Sequence, residues 1–115
     1  MTESPEIPKL VWEVDSTHPE KAELIRAALR EVVDPEIGLS VVELGLVREI
    51  SMTETEAHLR MIMTTPFCPY GPALLEMTRS KAEEAAGLPT TIEIGMEMWD
   101  PSMMEEGAGA AWGFY

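Results

Sequence analysis

Between Ala57 and Trp99 the spacing of apolar residues changes period twice, and few small folds accommodate that in so short a run. Ala57 to Met63 alternates as a strand does, Ala73 to Ala86 repeats as a helix does, and Thr90 to Trp99 alternates again. In the first segment Ala57, Leu59, Met61 and Met63 share one face, and His58, Arg60 and Ile62 share the other. In the last, Ile92, Ile94, Met96 and Met98 point inward and Thr91, Glu93, Gly95 and Glu97 outward, a strand with one wet face. Upstream, Leu46 to Met52 forms another strand, with Gly45 marking a bulge or turn into it. The polar run Thr53-Glu54-Thr55-Glu56 is a hairpin loop, so these first two strands are antiparallel neighbours.

A helix precedes the sheet. Thr17-His18-Pro19-Glu20 carries a threonine cap, a proline in the first turn and an acidic residue suited to the helix dipole, and the helix runs to about Val33. Leu24, Ile25, Ala28, Leu29 and Val32 form its apolar face, with Glu23, Arg26 and Arg30 turned to water. Residues 1–16 read as a flexible arm in which 10–14 form a short extension anchored by Trp12. Residues 17–104 form the domain. Residues 105–115 form a tail whose Trp112, Phe114 and Tyr115 are costly to leave in water, so the tail docks on a sheet face or a partner.

At 115 residues the chain holds one core, and its 45% hydrophobic content excludes wholesale disorder. No apolar run approaches the roughly 18 residues needed to span a bilayer, and the first residues do not form a secretory signal. A cytoplasmic protein without a membrane partner is expected. The net charge of −13, from 21 acidic and 8 basic residues, opposes nucleic acid as a partner. Nine methionines suit an adaptable core or contact surface.

The single cysteine lies in Thr64-Thr65-Pro66-Phe67-Cys68-Pro69-Tyr70-Gly71-Pro72, between strand and helix. One thiol makes no internal disulfide and holds no four-cysteine metal site by itself. If Pro69 opens the helix, Cys68 is its cap, and free backbone N–H groups and the helix dipole favour thiolate. If the helix begins at Pro72 behind Gly71, Cys68 sits about one turn outside and the dipole acts more weakly. The alternatives for this thiol are a small buried hydrophobe and a ligand or nucleophile. Asp34-Pro35-Glu36-Ile37-Gly38 ends the first helix and offers two carboxylates two residues apart. They serve either turn chemistry, with Gly38 at positive φ, or cation ligation. His18 reads as an exposed cap-region residue and His58 as a solvent-face one, so neither supplies a base for a thiol enzyme built on Cys68.

Four ordered segments, Asp34-Pro35-Glu36-Ile37-Gly38, Val41-Val42-Glu43-Leu44-Gly45-Leu46-Val47, Thr65-Pro66-Phe67-Cys68-Pro69 and Trp99-Asp100-Pro101, together resemble the SufT/PaaD-like iron-sulfur cluster assembly domain family over about residues 20–104. The chain has no cysteine-rich module after the domain and continues Trp99-Asp100-Pro101 with Ser102-Met103-Met104 in place of a further proline and aromatic residue. Its resemblance is closer to the SufT-like branch. The resemblance implies an α+β (α/β) domain in helix-strand-strand-helix-strand order, a three-stranded mixed sheet with helices packed on one face. It implies that Asp34, Glu36 and Cys68 form the functional site, binding iron or a labile iron-sulfur cluster. The expected partners are client apoproteins and the assembly machinery, with a homodimer as a further possibility. The expected role is non-enzymatic maturation of iron-sulfur proteins. The alternatives are a metal-free adaptor in oxygenase or other metalloprotein maturation, and a thiol enzyme.

Overall fold

A computed structural model describes residues 11–35, 37–64 and 70–104. Its elements are α1 (Glu13–Thr17), α2 (Pro19–Leu29), β1 (Val47–Met52), β2 (Ala57–Met61), α3 (Gly71–Ala86), β3 (Thr90–Ile94) and a 3₁₀ turn at Pro101–Met103. The sheet order is β1-β2-β3, antiparallel between β1 and β2 and parallel between β2 and β3. Parallel neighbours need a long crossover, and α3 provides it. The mixed sheet and element order are those expected from the sequence.

The hairpin turns where the polar run predicts. Thr53 Oγ1 accepts from the amides of Thr55 and Glu56, while the Thr53 amide donates to the Glu56 carbonyl at 2.8 Å. On β2, Ala57, Leu59 and Met61 are buried, and His58 and Arg60 are partly exposed on the opposite face. A register shift between Val47 and Glu49 lets β1 bury Val47, Ile50 and Met52 on the same side. The helices pack against this side, with α2 on α3, α3 against β2 and β3, and α1 against β1.

The N-terminal segment differs from the expected extension. Residues 13–17 form a helical turn, and the Asp15 carboxylate accepts the Trp12 amide at 2.7 Å. Trp12 is the anchor that the sequence suggests: it is buried and its Nε1 donates to the Val47 carbonyl at 2.9 Å, tying α1 to β1. Because α1 occupies residues 13–17, α2 starts after His18, with Pro19 at its first position and no side-chain cap from Thr17.

Arg26 corrects the predicted wet face of α2. It is only 4% exposed. It donates to both Asp15 carboxylate oxygens, at 2.9 and 3.0 Å, and its guanidinium lies 4.1 Å from the Trp12 ring centroid. Leu24, assigned to the apolar face, is exposed instead. The two exchange roles because α1 covers the flank of α2 that carries Arg26. The helix also stops at Leu29, short of Val33. Its final bonds tighten to three-residue spacing at Glu31 and Val32, after which Val33 pairs with Ser40 in an isolated bridge.

The third strand is shorter than its alternation. It ends at Ile94, because its partner β2 ends at Met61, and the last bond runs from the Gly95 amide to the Met61 carbonyl at 2.8 Å. Ile94, Met96 and Met98, read as inward-facing, are 61%, 95% and 83% exposed.

Candidate functional site

The four sequence segments that suggested a function are separated along the chain, and the described parts of the fold connect them. The first two meet directly. The Asp34–Leu39 loop is closed by the Asp34 amide donating to the Leu39 carbonyl at 3.0 Å, and by the amides of Ile37 and Gly38 donating to the Asp34 carbonyl at 3.1 and 2.7 Å. Gly38 has φ +83°, the positive value that the turn reading requires. The Val33–Ser40 bridge and the bond from the Val41 amide to the Val32 carbonyl, at 2.9 Å, then seat this loop beside Val41–Val47.

Residues 40–45 form a compact turn. Ser40 and Glu43 cap each other reciprocally: the Ser40 amide donates to Glu43 Oε1 at 2.8 Å and the Glu43 amide to Ser40 Oγ at 3.0 Å. Gly45 closes the turn at φ +73°. A Cβ placed on Gly45 would collide with the Met103 carbonyl oxygen, so the two backbones touch there.

That contact brings in the fourth segment. Trp99 Nε1 donates to the Leu44 carbonyl at 2.7 Å, and Met104 is buried beyond the 3₁₀ turn. Asp100 caps this turn by accepting from the Ser102 amide at 2.7 Å and from the Ser102 hydroxyl. Those bonds hold the Asp100 carboxyl below its ordinary pKa, with Arg48 adding a smaller attraction. Glu97 pairs with Arg60 at 3.2 Å and Arg48 at 3.7 Å, pinning the crossing to the outer face of the β1–β2 hairpin.

The third segment, residues 65–69, lies outside the described residues; the described chain before it reaches the same wall. A groove of about 360 Å³ runs between Ile62, Met63 and Thr64 on one side and Ile94 to Trp99 on the other. Thr64 is the residue immediately before 65–69, the stretch that holds Cys68. After that stretch α3 begins at Gly71 with Tyr70 as its cap residue, so the placement of Cys68 as the helix cap is corrected. Pro72 at the second helical position lacks only an N–H that has no intrahelical acceptor; the first bond of the helix runs from the Leu74 amide to the Tyr70 carbonyl.

Of the three residues singled out as a site, Asp34 is 2% exposed at the start of its loop, while Glu36 and Cys68 lie outside the described residues. Among the described residues no group of three or more His, Cys, Asp or Glu side chains is placed to hold a metal ion. His58 sits on the outer sheet face, its Nδ1 2.7 Å from Thr91 Oγ1 and its Nε2 3.5 Å from Glu93. His18 is the cap residue of α2, 2.8 Å from Thr17 Oγ1. Sequence reasoning missed the Ser40–Glu43 box, although the Ser-x-x-Glu spacing carries it. It also missed the Trp99–Leu44 bond, which no local pattern announces.

The model of the family described as "iron-sulfur cluster assembly protein" matches residues 22–94. The chain belongs to that family. Similar members include the Fe-S protein maturation auxiliary factor YitW of Bacillus subtilis, 36% identical over 81 residues, or 69% of this chain and 76% of that protein. A Fe-S protein maturation auxiliary factor of Porphyromonas gingivalis is 34% identical over 89 residues, 75% of this chain and 85% of the relative. Among solved structures, a conserved hypothetical protein of Thermotoga maritima superposes with a TM-score of 0.61 at 29% identity, covering 93% of this chain and 99% of the other. A domain of unknown function, DUF59, from Bacillus anthracis shares the fold, with a TM-score of 0.76 at 23% identity over 87% of this chain and 98% of its own. Among the described residues no helix is long and apolar enough to cross a membrane.

Proposed function

We propose that this chain is a non-enzymatic maturation factor that receives iron or a labile iron-sulfur cluster as cargo through the Cys68 thiolate and passes it to client apoproteins. The observation that carries the reading is the convergence of the described segments. The Asp34 loop is laddered to the Ser40–Gly45 turn, that turn is bonded to Trp99, and Trp99 lines a groove together with Thr64. A soft thiolate suits iron, and Asp34 and Glu36 supply harder oxygen donors. A single thiol leaves coordination positions for a second chain or an external thiol, which favours release over storage. The relatives named as Fe-S protein maturation auxiliary factors support the same direction.

Anaerobic reconstitution of the full chain with iron and sulfide tests the assignment. The expected result is a visible sulfur-to-iron charge-transfer spectrum that Cys68→Ala abolishes and Asp34→Asn weakens. A Cys68→Ala spectrum identical to that of the parent removes Cys68 as the ligand. Client capture that persists without any metal would favour an adaptor role instead.

A further inference from the structure

The methionines of the described fold differ widely in exposure. Met96 and Met98 are 95% and 83% exposed, whereas Met52, Met61 and Met104 are buried. The topology accounts for the contrast. The β2–β3 ladder ends at Met61 and Ile94, with a last bond from the Gly95 amide, so Met96 and Met98 follow the ladder into water.

Exposure decides which thioether a peroxide reaches. An open sulfur reacts directly, whereas a buried one reacts only when the fold opens locally. Glu97, between the two methionines, is paired with Arg60 at 3.2 Å and Arg48 at 3.7 Å, so its charge is partly balanced, and a neutral oxidant meets no barrier from it. In the reaction the sulfur gives an electron pair to one peroxide oxygen. The S–O bond forms as the O–O bond breaks, and the proton of the transferred oxygen passes to the departing one, which leaves as water. Sulfur is oxidised by two electrons and the peroxide is reduced by two.

Both residues line the groove together with Ile62, Met63, Ile94 and Trp99. A sulfoxide makes a flexible apolar side chain polar, with an oxygen that accepts hydrogen bonds. In a core that change disrupts packing, but at 96 and 98 little burial is lost.

We infer that Met96 and Met98 are a reversible modification site for peroxides, whose oxidation turns this wall of the groove from apolar to polar while the fold stands. The inference goes beyond the maturation role and does not depend on whether Cys68 binds iron.

Site-resolved mass spectrometry of the full chain during limited hydrogen peroxide treatment tests it. The tryptic peptide that follows Lys81 holds Met96, Met98 and Met104, so exposed and buried sulfurs are compared within one fragment. Sulfoxide is expected at Met96 and Met98 at least about tenfold faster than at Met104, Met61 or Met52, since a tenfold rarer open state needs only a small part of a domain's stability. In concentrated urea the rates should converge. The Tm of protein oxidised at 96 and 98 should move by no more than about 3 °C, as for an ordinary surface change. Methionine sulfoxide reductases should return both residues to the parental mass. Native rates at Met104 equal to those at Met96 and Met98, loss of the fold on their oxidation, or sulfoxides that resist the reductases would each overturn the inference.

Discussion

Gly45→Ala should loosen the C-terminal crossing more than an ordinary turn substitution would. Two costs combine at this position. A non-glycine residue at φ +73° pays about 1–2 kcal/mol for the left-handed conformation. The new Cβ would also collide with the Met103 carbonyl oxygen, closer than real Cβ contacts ever come, so the two backbones must part. That separation pulls on the Trp99–Leu44 bond, worth about 1 kcal/mol, and on buried Met104, whose full exposure would cost about 1.5–3 kcal/mol. With part of that burial retained, the expected loss is about 3 kcal/mol, or about 15 °C in Tm for a domain of this size.

Gly38→Ala is the control, because Gly38 has φ +83° but nothing within 4 Å of its Cβ position. It should show the conformational cost alone, about 1–2 kcal/mol. Urea unfolding of both variants, with amide exchange across 99–104, separates the two costs. Equal losses in the two variants, with unchanged exchange at 99–104, would refute the claim that the crossing is locked against Gly45.

Asp15→Asn should destabilise by about 3 kcal/mol, because Arg26 is nearly buried and loses the charge of its two-oxygen partner while the cap on the Trp12 amide survives; thermal unfolding checks this. Lowering the pH should loosen the 3₁₀ turn. The Asp100 pKa is depressed in the fold, so its contribution is complete above the ordinary value of 3.8 and is lost as pH falls through the lower folded value. The Ser102 amide resonance, followed from pH 5 downward, should therefore move below 3.8, and Asp100→Asn should remove that titration. Trp12→Phe should keep the fold but weaken it by about 1–2 kcal/mol, since the ring remains and the donor to Val47 is lost; urea unfolding reads the difference.

The parts of the fold legible in the sequence were those set by local periodicity. The hairpin at Thr53–Glu56, the inward row Ala57, Leu59 and Met61, and the helix that ends at Ala86 each follow from neighbouring residues. What was illegible depended on elements distant in the chain. Arg26 has the spacing of a solvent residue, and only the arrival of Asp15 and Trp12 on α1 makes burial tolerable for its charge. The order of the four site segments could also be read directly. Their contacts could not, since Trp99 and Leu44 are 55 positions apart and the bond uses a backbone carbonyl that every residue possesses.

The run from Ile92 to Met98 shows why alternation read from the sequence does not by itself fix burial. Alternation is a property of the strand itself, whereas burial requires something opposite. Within β3, Ile92 and Ile94 align with Leu59 and Met61, the inward residues of β2, but Ile94 is already at the end of the ladder. Past that point β2 has ended and the chain crosses toward Leu44, so Met96 and Met98 lie beyond the ladder and are exposed. The physical distinction is between a side chain's direction, fixed by its own backbone, and its environment, supplied by another segment.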